Sequence, residues 1–502
     1  MSDALSLTWA SMRRRQGARS YAVATPLLVP AAIAALTFGM YLATMAPGLY
    51  TIDSPELTTA AYKLGIAHAP GYPFYTLFGW AFSHAVPVGS VAFRMNLLSA
   101  VFATAGVVVT YALAMRVTSR PAFAAAAALM LAFSYHFWAN ALIAEIYALD
   151  AALFAGILLA AIEWRRSRTA VAAAAVGVLL GLALATRTTS VLYVPALAAF
   201  ALMSAPRDAR SFAAATAGTL AGLAFYLYLP LRSAAGTDIG PGGYALDGSH
   251  TVFDLATWSG FWDHVTAASF RSDAFAYSVS GAFGEAGSFL QWLTWAFVVV
   301  GLPLGLMGTV RLWREDRALL ALVLGTAVPV TFFFINYGTP DKEFMFVPAY
   351  VAWALLVASG LEEALAALPE AWRTSTLLLA APLLLPLVAL GINLPRVSLH
   401  GDQSVRTHAE SVFAGLEPGA ILYGPFMDVA PLQYLQFVEG QRTDVAIVNT
   451  WTIDDPDAFL RALAIENVGH RAFYVTRAEH ALGGEFQLTK EGEVYRVSAR
   501  AP

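Results

Sequence analysis

Long apolar stretches alternate along the chain with short segments that carry most of its charged residues. A helix that crosses a bilayer needs about 20 mostly apolar residues, so the pattern predicts about eleven transmembrane helices. We place them near residues 22–45, 91–115, 121–137, 147–163, 170–186, 189–204, 211–230, 289–310, 317–336, 345–361 and 374–393. The first run, Ala22 to Met45, is too long for a signal-peptide core and lacks a clear cleavage site, so we expect a retained anchor.

The distribution of arginines between the predicted spans indicates the orientation of the chain. Short cytoplasmic loops are enriched in Lys and Arg, and Arg13, Arg14, Arg15 and Arg19 precede the first span. We therefore expect residues 1–21 to be a cytoplasmic N-terminal segment. Eleven spans then place the following loop arginines on the cytoplasmic side: Arg116, Arg120, Arg165, Arg166, Arg168, Arg207, Arg210, Arg311, Arg314, Arg317 and Arg373. The same alternation places the C-terminus outside.

Three longer segments are expected on the extracytoplasmic side: the loops 46–90 and 232–288, within a transmembrane domain of residues 22–393, and the tail 394–502. In the tail, short apolar runs typical of buried strands alternate with helical patterns, which indicates a compact α/β unit. The strands are Gly419–Tyr423, Asp444–Val448 and Arg471–Val475, and the helices are Val429–Val438 and Pro456–Ile465. The predicted fold class is an all-α polytopic membrane protein with a small C-terminal extracytoplasmic α/β domain.

The composition agrees with a membrane protein and excludes several kinds of function. The 502 residues are 58% hydrophobic and 13% charged, whereas an average soluble domain has roughly 25% charged residues. The formal net charge of −4 gives no basic surface for a nucleic acid. The absence of cysteine excludes disulfides, thiolate metal sites and cysteine nucleophiles.

The first outer loop contains the most informative chemistry. Ser54 and Pro55 have the pattern of a helix start, with Ser as N-cap and Pro at the first helical position. Asp53 then lies at the positive end of a short helix, with Glu56 about one turn further on, so a carboxylate here stays ionised near neutral pH. Such a group beside a bilayer is a candidate general base or divalent metal ligand. The alternative is that both carboxylates only cap a loop helix.

Polar residues at two other outer turns are candidates for substrate binding. His68 precedes a rigid Ala-Pro-Gly-Tyr-Pro turn, and the stretch Phe74 to Phe82 that follows presents one apolar helical face. The alternative for His68 is a turn histidine bonded to backbone. The last outer loop has three consecutive charges, Asp341, Lys342 and Glu343, which either bind substrate or are simply solvated.

Arginines at the outer ends of predicted spans are costly unless they are paired or bind a ligand. Arg94, Arg187 and Arg232 occupy such positions. A guanidinium suits a phosphate because its forked donors match two oxygens. The alternatives are that these arginines snorkel to the interface, or that Glu145 and Tyr147 at the end of another span pair with one of them.

Many of these residues stand in longer motifs that occur along nearly the whole chain. In the first half they are Asp53-Ser-Pro-Glu56, Gly65-Ile-Ala-His68-Ala-Pro70-Gly71-Tyr-Pro73, Phe93-Arg94-Met-Asn96-Leu-Leu98-Ser and Ala144-Glu145-Ile-Tyr147-Ala-Leu. In the second half they are Tyr228-Leu-Pro230-Leu-Arg232-Ser233, Phe261-Trp-Asp-His264-Val-Thr266 and Asp341-Lys-Glu343-Phe-Met-Phe-Val-Pro348-Ala-Tyr350. The set resembles the transmembrane protein O-mannosyltransferase-like family, within the GT-C class of multi-span glycosyltransferases. That family often has Gly at the position of Pro55 and Pro at that of Ala69, and these departures leave both carboxylates and His68 in place.

The resemblance implies a GT-C-like fold and a glycosyltransferase whose donor is a sugar, such as mannose, on a polyprenyl phosphate. The acceptor is a hydroxyl of a protein, glycan or lipid on the extracytoplasmic face of a bacterial inner membrane. The implied reaction inverts the configuration of the anomeric carbon. In it Asp53, assisted by Glu56, takes the proton of the acceptor hydroxyl, while Arg187 and Arg232 neutralise the charge of the leaving phosphate. The other candidate substrate-binding residues are His68, Arg94, Glu145, Tyr147, His264, Asp341, Lys342 and Glu343. No cofactor is expected beyond a divalent metal ion, which the pattern leaves open.

Other functional classes stay open from the sequence. A transporter or flippase of lipid-linked sugars would place its charges inside the spans near the bilayer midplane, whereas most candidate charges here lie at outer span ends. A non-catalytic sensor that binds a ligand in residues 394–502 would leave the charged first loop unexplained. A closer alternative is an enzyme similar to O-antigen ligases, which uses a pyrophosphate-linked glycan.

Overall fold

The structure is a computed structural model that describes residues 25–205, 208–237, 254–450 and 455–500. The predicted N-terminal segment 1–21 and Arg207 lie outside these residues. The helices up to the start of the C-terminal domain are α1 (Thr25–Thr44), α2 (Ser54–Lys63), α3 (Pro73–Ala85), α4 (Val91–Ala114), α5 (Pro121–Ala132), α6 (Tyr135–Asn140), α7 (Tyr147–Ser167), α8 (Ala170–Thr186), α9 (Val194–Ser204), α10 (Ala209–Leu223), α11 (Tyr228–Ala234), α12 (Trp258–Val265), α13 (Val279–Ala296), α14 (Gly301–Glu315), α15 (Arg317–Ile335), α16 (Val347–Ala366), α17 (Thr376–Ala380) and α18 (Leu384–Val397). Among the short 3-10 helices between them are Thr188–Tyr193, Ala224–Leu227, Ala268–Asp273 and Lys342–Phe346.

Each predicted span coincides with an apolar helix or with a pair of helices. By length and apolarity, seven helical segments of the described residues are able to cross a membrane, or up to eight if a bent pair counts as one span. Three further predicted spans fall on shorter apolar helices, Pro121–Ala132, Ala170–Thr186 and Thr188–Ser204. The prediction of a polytopic helical membrane protein is therefore confirmed.

The predicted span 289–310 is not one continuous helix. The axes of α13 and α14 differ by 96° across a short break, and Val298 and Val299 in this break have φ angles of 54° and 62°. Branched side chains rarely adopt this left-handed conformation. The bend was not predicted, because the residues around the break, from Trp295 to Leu302, are all apolar or glycine and hydrophobicity contains no signal for a change of direction.

Small residues allow two pairs of helices to pack backbone against backbone. In the first pair, a Cβ on Gly177 would clash with the carbonyl oxygen of Ala215, and a Cβ on Gly222 would lie 2.7 Å from the Cα of Gly181. The residue numbers of the contacting positions increase in the same direction along both helices, so α8 and α10 run parallel. In the second pair, α14 and α16, Gly308 and Gly360 allow the same close approach. Such small-residue contacts are the usual packing of helices in a bilayer.

The C-terminal domain is a small α/β unit, as predicted. Its elements are α19 (Ser404–Gly415), β1 (Ile421–Gly424), α20 (Phe426–Phe437), β2 (Ala446–Asn449), α21 (Pro456–Asn467), β3 (Phe473–Val475), β4 (Phe486–Glu491) and β5 (Val494–Ala499). The sheet order is β2-β1-β3-β5-β4, with β1 parallel to β2 and β3, and β5 antiparallel to β3 and β4. All three predicted strands and both predicted helices are present. The hairpin β4–β5 and helix α19 were not predicted.

The C-terminal domain and the first loop share one hydrophobic core. Leu49 and Ala92, which belong to the first loop and to the start of α4, are buried in the same cluster as Val412, Leu432 and other side chains of the domain. The hydroxyl of Tyr434 accepts a hydrogen bond from the backbone N–H of Ala92 at 3.2 Å, and α20 packs against α2. The domain is therefore positioned directly over the segment that contains the candidate carboxylates.

Candidate active site

The local sequence of the first loop leaves the carboxylate of Asp53 available. Helix α2 begins at Ser54 with Pro55 in its first turn, and Asp53 occupies the N-cap position without a side-chain capping bond. The helix starts where the sequence predicts, but the cap is Asp53 and not Ser54. The entry of the loop is held by Asn96, whose side-chain amide donates to the carbonyl oxygens of Ala46 at 3.0 Å and Gly48 at 2.8 Å.

The side chains of Glu56, Tyr72 and Asp53 surround the imidazole of His68. The carboxylate of Glu56 accepts the backbone N–H of His68 at 2.7 Å and contacts its ring Nδ1 at 2.5 Å. The other ring nitrogen, Nε2, lies 2.8 Å from the hydroxyl of Tyr72 and 3.7 Å from the carboxylate of Asp53. Glu56 is thus fully engaged in holding His68, whereas Asp53 keeps a looser contact with the imidazole.

The turn after His68 has a conformation that its glycine permits. The Ala69–Pro70 peptide is cis, and Gly71 has a φ angle of 89°. A Cβ on Gly71 would lie 2.9 Å from the side chain of Leu229 and 3.0 Å from the Nε2 of His264. Only glycine fits such a position without strain, so this turn packs tightly beneath the cluster.

Burial and the neighbouring charges separate the protonation states of Asp53 and His68. Burial raises the pKa of Asp53 to about 6, with the charge of His68 opposing the rise and Glu56 and Asp341 adding to it. Burial lowers the pKa of His68, but the carboxylates of Glu56 and Asp53 outweigh it and raise this pKa to about 9. At neutral pH, His68 is therefore a cation that donates from both ring nitrogens, and Asp53 is mostly ionised but close to its pKa.

Glu145 lies directly behind Asp53. It is buried, and its carboxyl oxygen Oε1 has no hydrogen-bond partner among the described residues. Burial, together with the charges of Asp53 and Asp341, raises the pKa of Glu145 well above its usual value. Glu145 therefore influences Asp53 through its charge and does not line the cavity.

These groups border a cavity of about 710 Å³. Five parts of the chain form its walls: the first loop, the adjoining ends of α7, α8 and α15, the segment 266–274, the segment 339–345, and the C-terminal domain. Five of the predicted site residues line it, namely Asp53, His68, Tyr147, Arg187 and Asp341. The cavity is large enough for a sugar and its reacting partner, since ligand sites of roughly 300–1,000 Å³ are usual.

Arg187 forms the charged floor of the cavity. Its Nη1 lies 3.0 Å from the carboxylate of Asp150 and donates to the carbonyl oxygen of Met345 at 3.2 Å. Its guanidinium stacks on the rings of Phe334 and Tyr147, with centroids 4.2 Å and 5.1 Å away. Both members of this ion pair are buried, so the sequence-based alternative that Arg187 snorkels does not describe its environment.

Two exposed arginines that sequence reasoning missed also line the cavity. Arg271 lies in the 3-10 helix 268–273 and donates to the hydroxyl of Thr266 at 3.3 Å. Arg477 comes from the C-terminal domain, where its Nε and Nη2 are held by the carboxylate of Asp428 at 2.8 Å and 2.7 Å. Phe426, also of this domain, contacts the ring of His68 with centroids 6.3 Å apart. Neither arginine has a local sequence signal, because each reaches the cavity only through the tertiary fold.

An apolar groove of about 830 Å³ adjoins the cavity. Four residues line both spaces: Thr188, Thr189, Thr266 and Phe333. The remaining wall is formed by apolar side chains of α10, the 3-10 helix 224–227 and α12, together with Leu184, Val191 and Leu192. Three hydroxyl groups therefore mark the boundary between a charged space and an apolar one.

Several predicted site residues are used elsewhere in the structure. Arg94 donates to the carbonyl oxygens of Ser83, Val88 and Gly89, at 2.9, 3.2 and 3.1 Å, and Arg232 donates to that of Leu64 at 2.5 Å. Lys342 is buried and pairs with Glu285 at 2.8 Å. These three cations do not line the cavity, and loop carbonyls or a carboxylate satisfy their charges where they lie.

The other two predicted residues lie near the cavity without lining it. Glu343 is half-buried, and burial followed by the charge of Asp341 raises its pKa. His264 is buried behind Gly71, where burial and the charge of His68 lower its pKa to about 4. As for the metal ion that the sequence leaves open, no group of three or more His, Asp or Glu residues in the described part of the chain is arranged to hold one.

The sequence is similar to known glycosyltransferases. The family model of the N-terminal domain of the protein O-mannosyl-transferase TMEM260 matches residues 53–211. The mouse protein O-mannosyl-transferase TMEM260 is 32% identical over 279 residues, which are 54% of this chain and 37% of that protein. The protein of the same name from Dictyostelium discoideum is 26% identical over 131 residues, 26% of this chain and 16% of that protein. The matches thus span well under half the length of these curated relatives.

The fold is similar to that of solved membrane enzymes. ArnT from Cupriavidus metallidurans, in a crystal structure bound to undecaprenyl phosphate, has a TM-score of 0.56 and 12% identity, covering 95% of this chain and 98% of that one. The oligosaccharyltransferase of Archaeoglobus fulgidus has a TM-score of 0.52 and 12% identity, covering 89% of this chain and 68% of that one. At such low identity the likeness shows the fold alone. Together, the matches confirm the predicted resemblance to the O-mannosyltransferase-like family and the GT-C fold.

Proposed function

We propose that this chain, with its GT-C-like fold and its similarity to protein O-mannosyl-transferases, transfers a sugar from a polyprenyl-phosphate donor to an acceptor hydroxyl. The main support for this proposal is that the charged cavity and the apolar groove meet at Thr188, Thr189 and Thr266. A lipid-linked sugar has the same division: a long apolar tail, one phosphate, and a sugar beyond it. The lipid occupies the groove, and the sugar extends into the cavity.

The phosphate of the donor lies at the junction in this proposal. Arg187 directly precedes Thr188, Arg271 is bonded to Thr266, and both arginines line the cavity together with the three threonines. Fixed donors aimed at an oxygen that gains charge in the transition state are usually worth several kcal/mol in a water-poor site. Arg271 thus takes the role that sequence analysis gave to Arg232. The solved ArnT structure with undecaprenyl phosphate supports a donor of this chemical class.

Asp53 is the base in the proposed reaction. Its carboxylate takes the proton of the acceptor hydroxyl as the oxygen attacks the anomeric carbon. The bond from this carbon to the phosphate oxygen breaks, and its electron pair leaves with the polyprenyl phosphate. Attack from the face opposite to the leaving group inverts the anomeric configuration. A pKa of about 6 suits the role, because Asp53 is ionised at neutral pH yet close enough to its pKa to accept a proton.

The arginines outside the cavity support an extracytoplasmic site. Helix α7 begins at Tyr147 in the cavity and ends with Arg165 and Arg166. Arg165 pairs with Asp316, and Arg120 pairs with Glu362, so several arginine-containing loops meet at this far end. Because Arg-rich loops stay in the cytoplasm, we assign the cavity to the opposite face of the membrane.

The test is a transfer assay without any membrane gradient. Purified protein in detergent is incubated with a polyprenyl-phosphate mannose and a peptide rich in Ser and Thr, chosen because the relatives are protein O-mannosyl-transferases. We expect release of polyprenyl phosphate and a peptide heavier by one hexose. A protein that leaves the donor intact in detergent, but moves it between leaflets of a vesicle, would be a flippase. Consumption of only a pyrophosphate-linked donor would favour the ligase-like alternative.

A further inference from the structure

A second groove lies at the other end of the helices, away from the candidate active site. It has a volume of about 290 Å³ and is formed by α7, α8, α9 and α10. Trp164 lines it, and it lies on the same helix as Tyr147 of the catalytic cavity, roughly 25 Å further along the helix axis at the usual rise per residue. The walls are small or apolar side chains such as Ala173, Val176 and Ala198. A groove of this kind between membrane helices has room for part of one acyl chain.

Trp164 gives the groove an unsatisfied polar group. The residue is only 5% exposed, and its indole Nε1 has no hydrogen-bond partner among the described residues. Nearly all buried N–H groups in proteins have a partner. The remainder of the indole packs against Phe200 at its edge, so the missing acceptor is expected from whatever occupies the groove.

Positive charge surrounds the same end of the groove. The guanidinium of Arg168 stacks on the ring of Trp164 at 5.2 Å from its centroid, and Arg210 directly precedes Ser211 in the groove wall. Both arginines are exposed, and neither lies within 4 Å of a carboxylate of the described residues. Arg165, in contrast, is already paired with Asp316 at 2.5 Å. Two cations are therefore available at the mouth of an apolar groove.

The helix geometry adds to this positive field. Helices α8 and α10 run parallel at glycine contact, so their positive N-terminal ends lie side by side. Thr169 caps α8 by accepting the N–H of Ala172 at 3.2 Å, and Asp208 caps α10 by accepting that of Ser211 at 3.0 Å. The carboxylate of Asp208 interacts electrostatically with Arg168 and Arg210. One negative charge is thus set against two helix ends and two guanidiniums, and an anion between the arginines would reduce the remaining repulsion.

We infer that this groove binds an anionic phospholipid, with its phosphate between Arg168 and Arg210 and one acyl chain along α9. The occupant is a lipid and not a soluble phosphate, because the charged mouth continues into an apolar groove between membrane helices. A polar atom of the lipid head or ester accepts the indole N–H of Trp164. The site is separate from the donor site, since it lies at the opposite end of the same helices.

The test uses the whole purified protein, delipidated in detergent and titrated with phosphatidylglycerol or phosphatidylcholine of identical acyl chains. Native mass spectrometry counts the lipids bound. We expect tighter binding of phosphatidylglycerol, by about fivefold for each arginine near the phosphate. In the double variant Arg168→Gln with Arg210→Gln, the affinity for phosphatidylglycerol should fall to that for phosphatidylcholine. Arg317→Gln with Arg373→Gln removes the same charge from other exposed positions and should leave the preference unchanged.

A second pair of variants tests the groove itself. Ala198→Trp fills it and should abolish binding of phosphatidylglycerol, whereas Ala199→Trp, one position further along the exposed surface of α9, should not. Melting temperature and elution volume identify variants that fail to fold. Equal binding of the two lipids, or a preference that survives the loss of Arg168 and Arg210, would overturn the inference. Full competition by inorganic phosphate would also overturn it, because the acyl chain would then contribute nothing.

Discussion

Asp53 and Glu56 lie one helical turn apart but have different surroundings. Both oxygens of Glu56 are occupied by His68, one by its backbone N–H and one by its ring. Asp53 makes no capping bond and borders the cavity. A general base has to reach the acceptor hydroxyl, and of these two carboxylates only that of Asp53 lines the cavity. Glu56 therefore acts through His68 as a positioning residue.

The first prediction separates these roles. Asp53→Asn conserves the volume and removes the base, so we expect kcat to fall by roughly a hundredfold or more while donor binding is retained. Glu56→Gln should be less severe, because an amide still accepts one of the two bonds from His68. Transfer rates and donor affinity measured on both variants decide the matter. Normal transfer by Asp53→Asn together with an inactive Glu56→Gln would reverse the assignment.

The second prediction concerns pH. Asp53 has to be ionised, so kcat/KM should rise with pH through about 6, the pKa of this carboxyl group. His68 has to be protonated to donate from both ring nitrogens, so activity should fall again as the pH passes its pKa of about 9. The result is a bell-shaped profile. In Glu56→Gln the alkaline limb should move to lower pH, because a carboxylate that raises the pKa of His68 is lost. An unchanged alkaline limb in this variant would contradict the role of the pair.

The third prediction concerns the ion pair at the floor of the cavity. Arg187→Leu alone leaves the buried Asp150 uncompensated, and breaking a buried pair in this way usually costs about 3–5 kcal/mol. The double variant Arg187→Leu with Asp150→Asn should fold better than the single variant, yet still raise the KM for the donor. Arg271→Gln, at an exposed position, should raise this KM without any loss of stability. Thermal unfolding and donor kinetics report the two effects separately. Unchanged donor KM in both the double variant and Arg271→Gln would exclude phosphate binding by these arginines.

At the scale of elements, the glycines of α8 and α10 determine how closely these helices pack. The fourth prediction compares Gly177→Ala with Gly284→Ala. A methyl group on Gly177 would overlap the carbonyl oxygen of Ala215, whereas nothing lies within 4 Å of the corresponding position on Gly284. Overpacking usually costs 1–3 kcal/mol or more, and Ala in place of Gly at an unobstructed helix position gains up to about 1 kcal/mol. Melting temperatures in detergent should therefore move in opposite directions. Equal shifts would mean that the helices separate without cost.

The elements that sequence reasoning recovered are those with a local signal. Periodicity and the alternation of apolar runs were sufficient for the strands and helices around Tyr423 and Val475, and a proline after a polar residue was sufficient for α2. The bend at Val298 was not predictable, because the residues on both sides are apolar. The same limit applies to the site. Asp53 and His68 stand in a recognisable local motif, whereas Arg271 and Arg477 reach the cavity only because distant segments fold over it.

At the scale of the whole molecule, the C-terminal domain and the first loop are a single structural unit. Leu49 and Ala92 are buried within the core of the domain, and α20 packs on α2. Removal of residues 398–502 would expose this apolar surface and release the segment that holds Asp53. A truncated chain therefore cannot distinguish an acceptor-binding role of the domain from a structural one. Single substitutions at cavity-lining positions such as Arg477 are better suited to that question.

The fifth prediction is the orientation of the whole chain. Arginines of three predicted loops, among them Arg120, Arg165 and Arg314, pair with acidic side chains at the end of the helices opposite the cavity. Because positive loops remain in the cytoplasm, the cavity and the C-terminus should lie outside. Alkaline phosphatase, which is active only outside the cytoplasm, should be active when fused after Pro502, and a fluorescent protein fused there should stay dark. The same two reporters inserted after Arg168 should give the reverse result. If the fusion after Pro502 is fluorescent, the site faces the cytoplasm, and a donor presented on the extracytoplasmic leaflet could not reach Asp53.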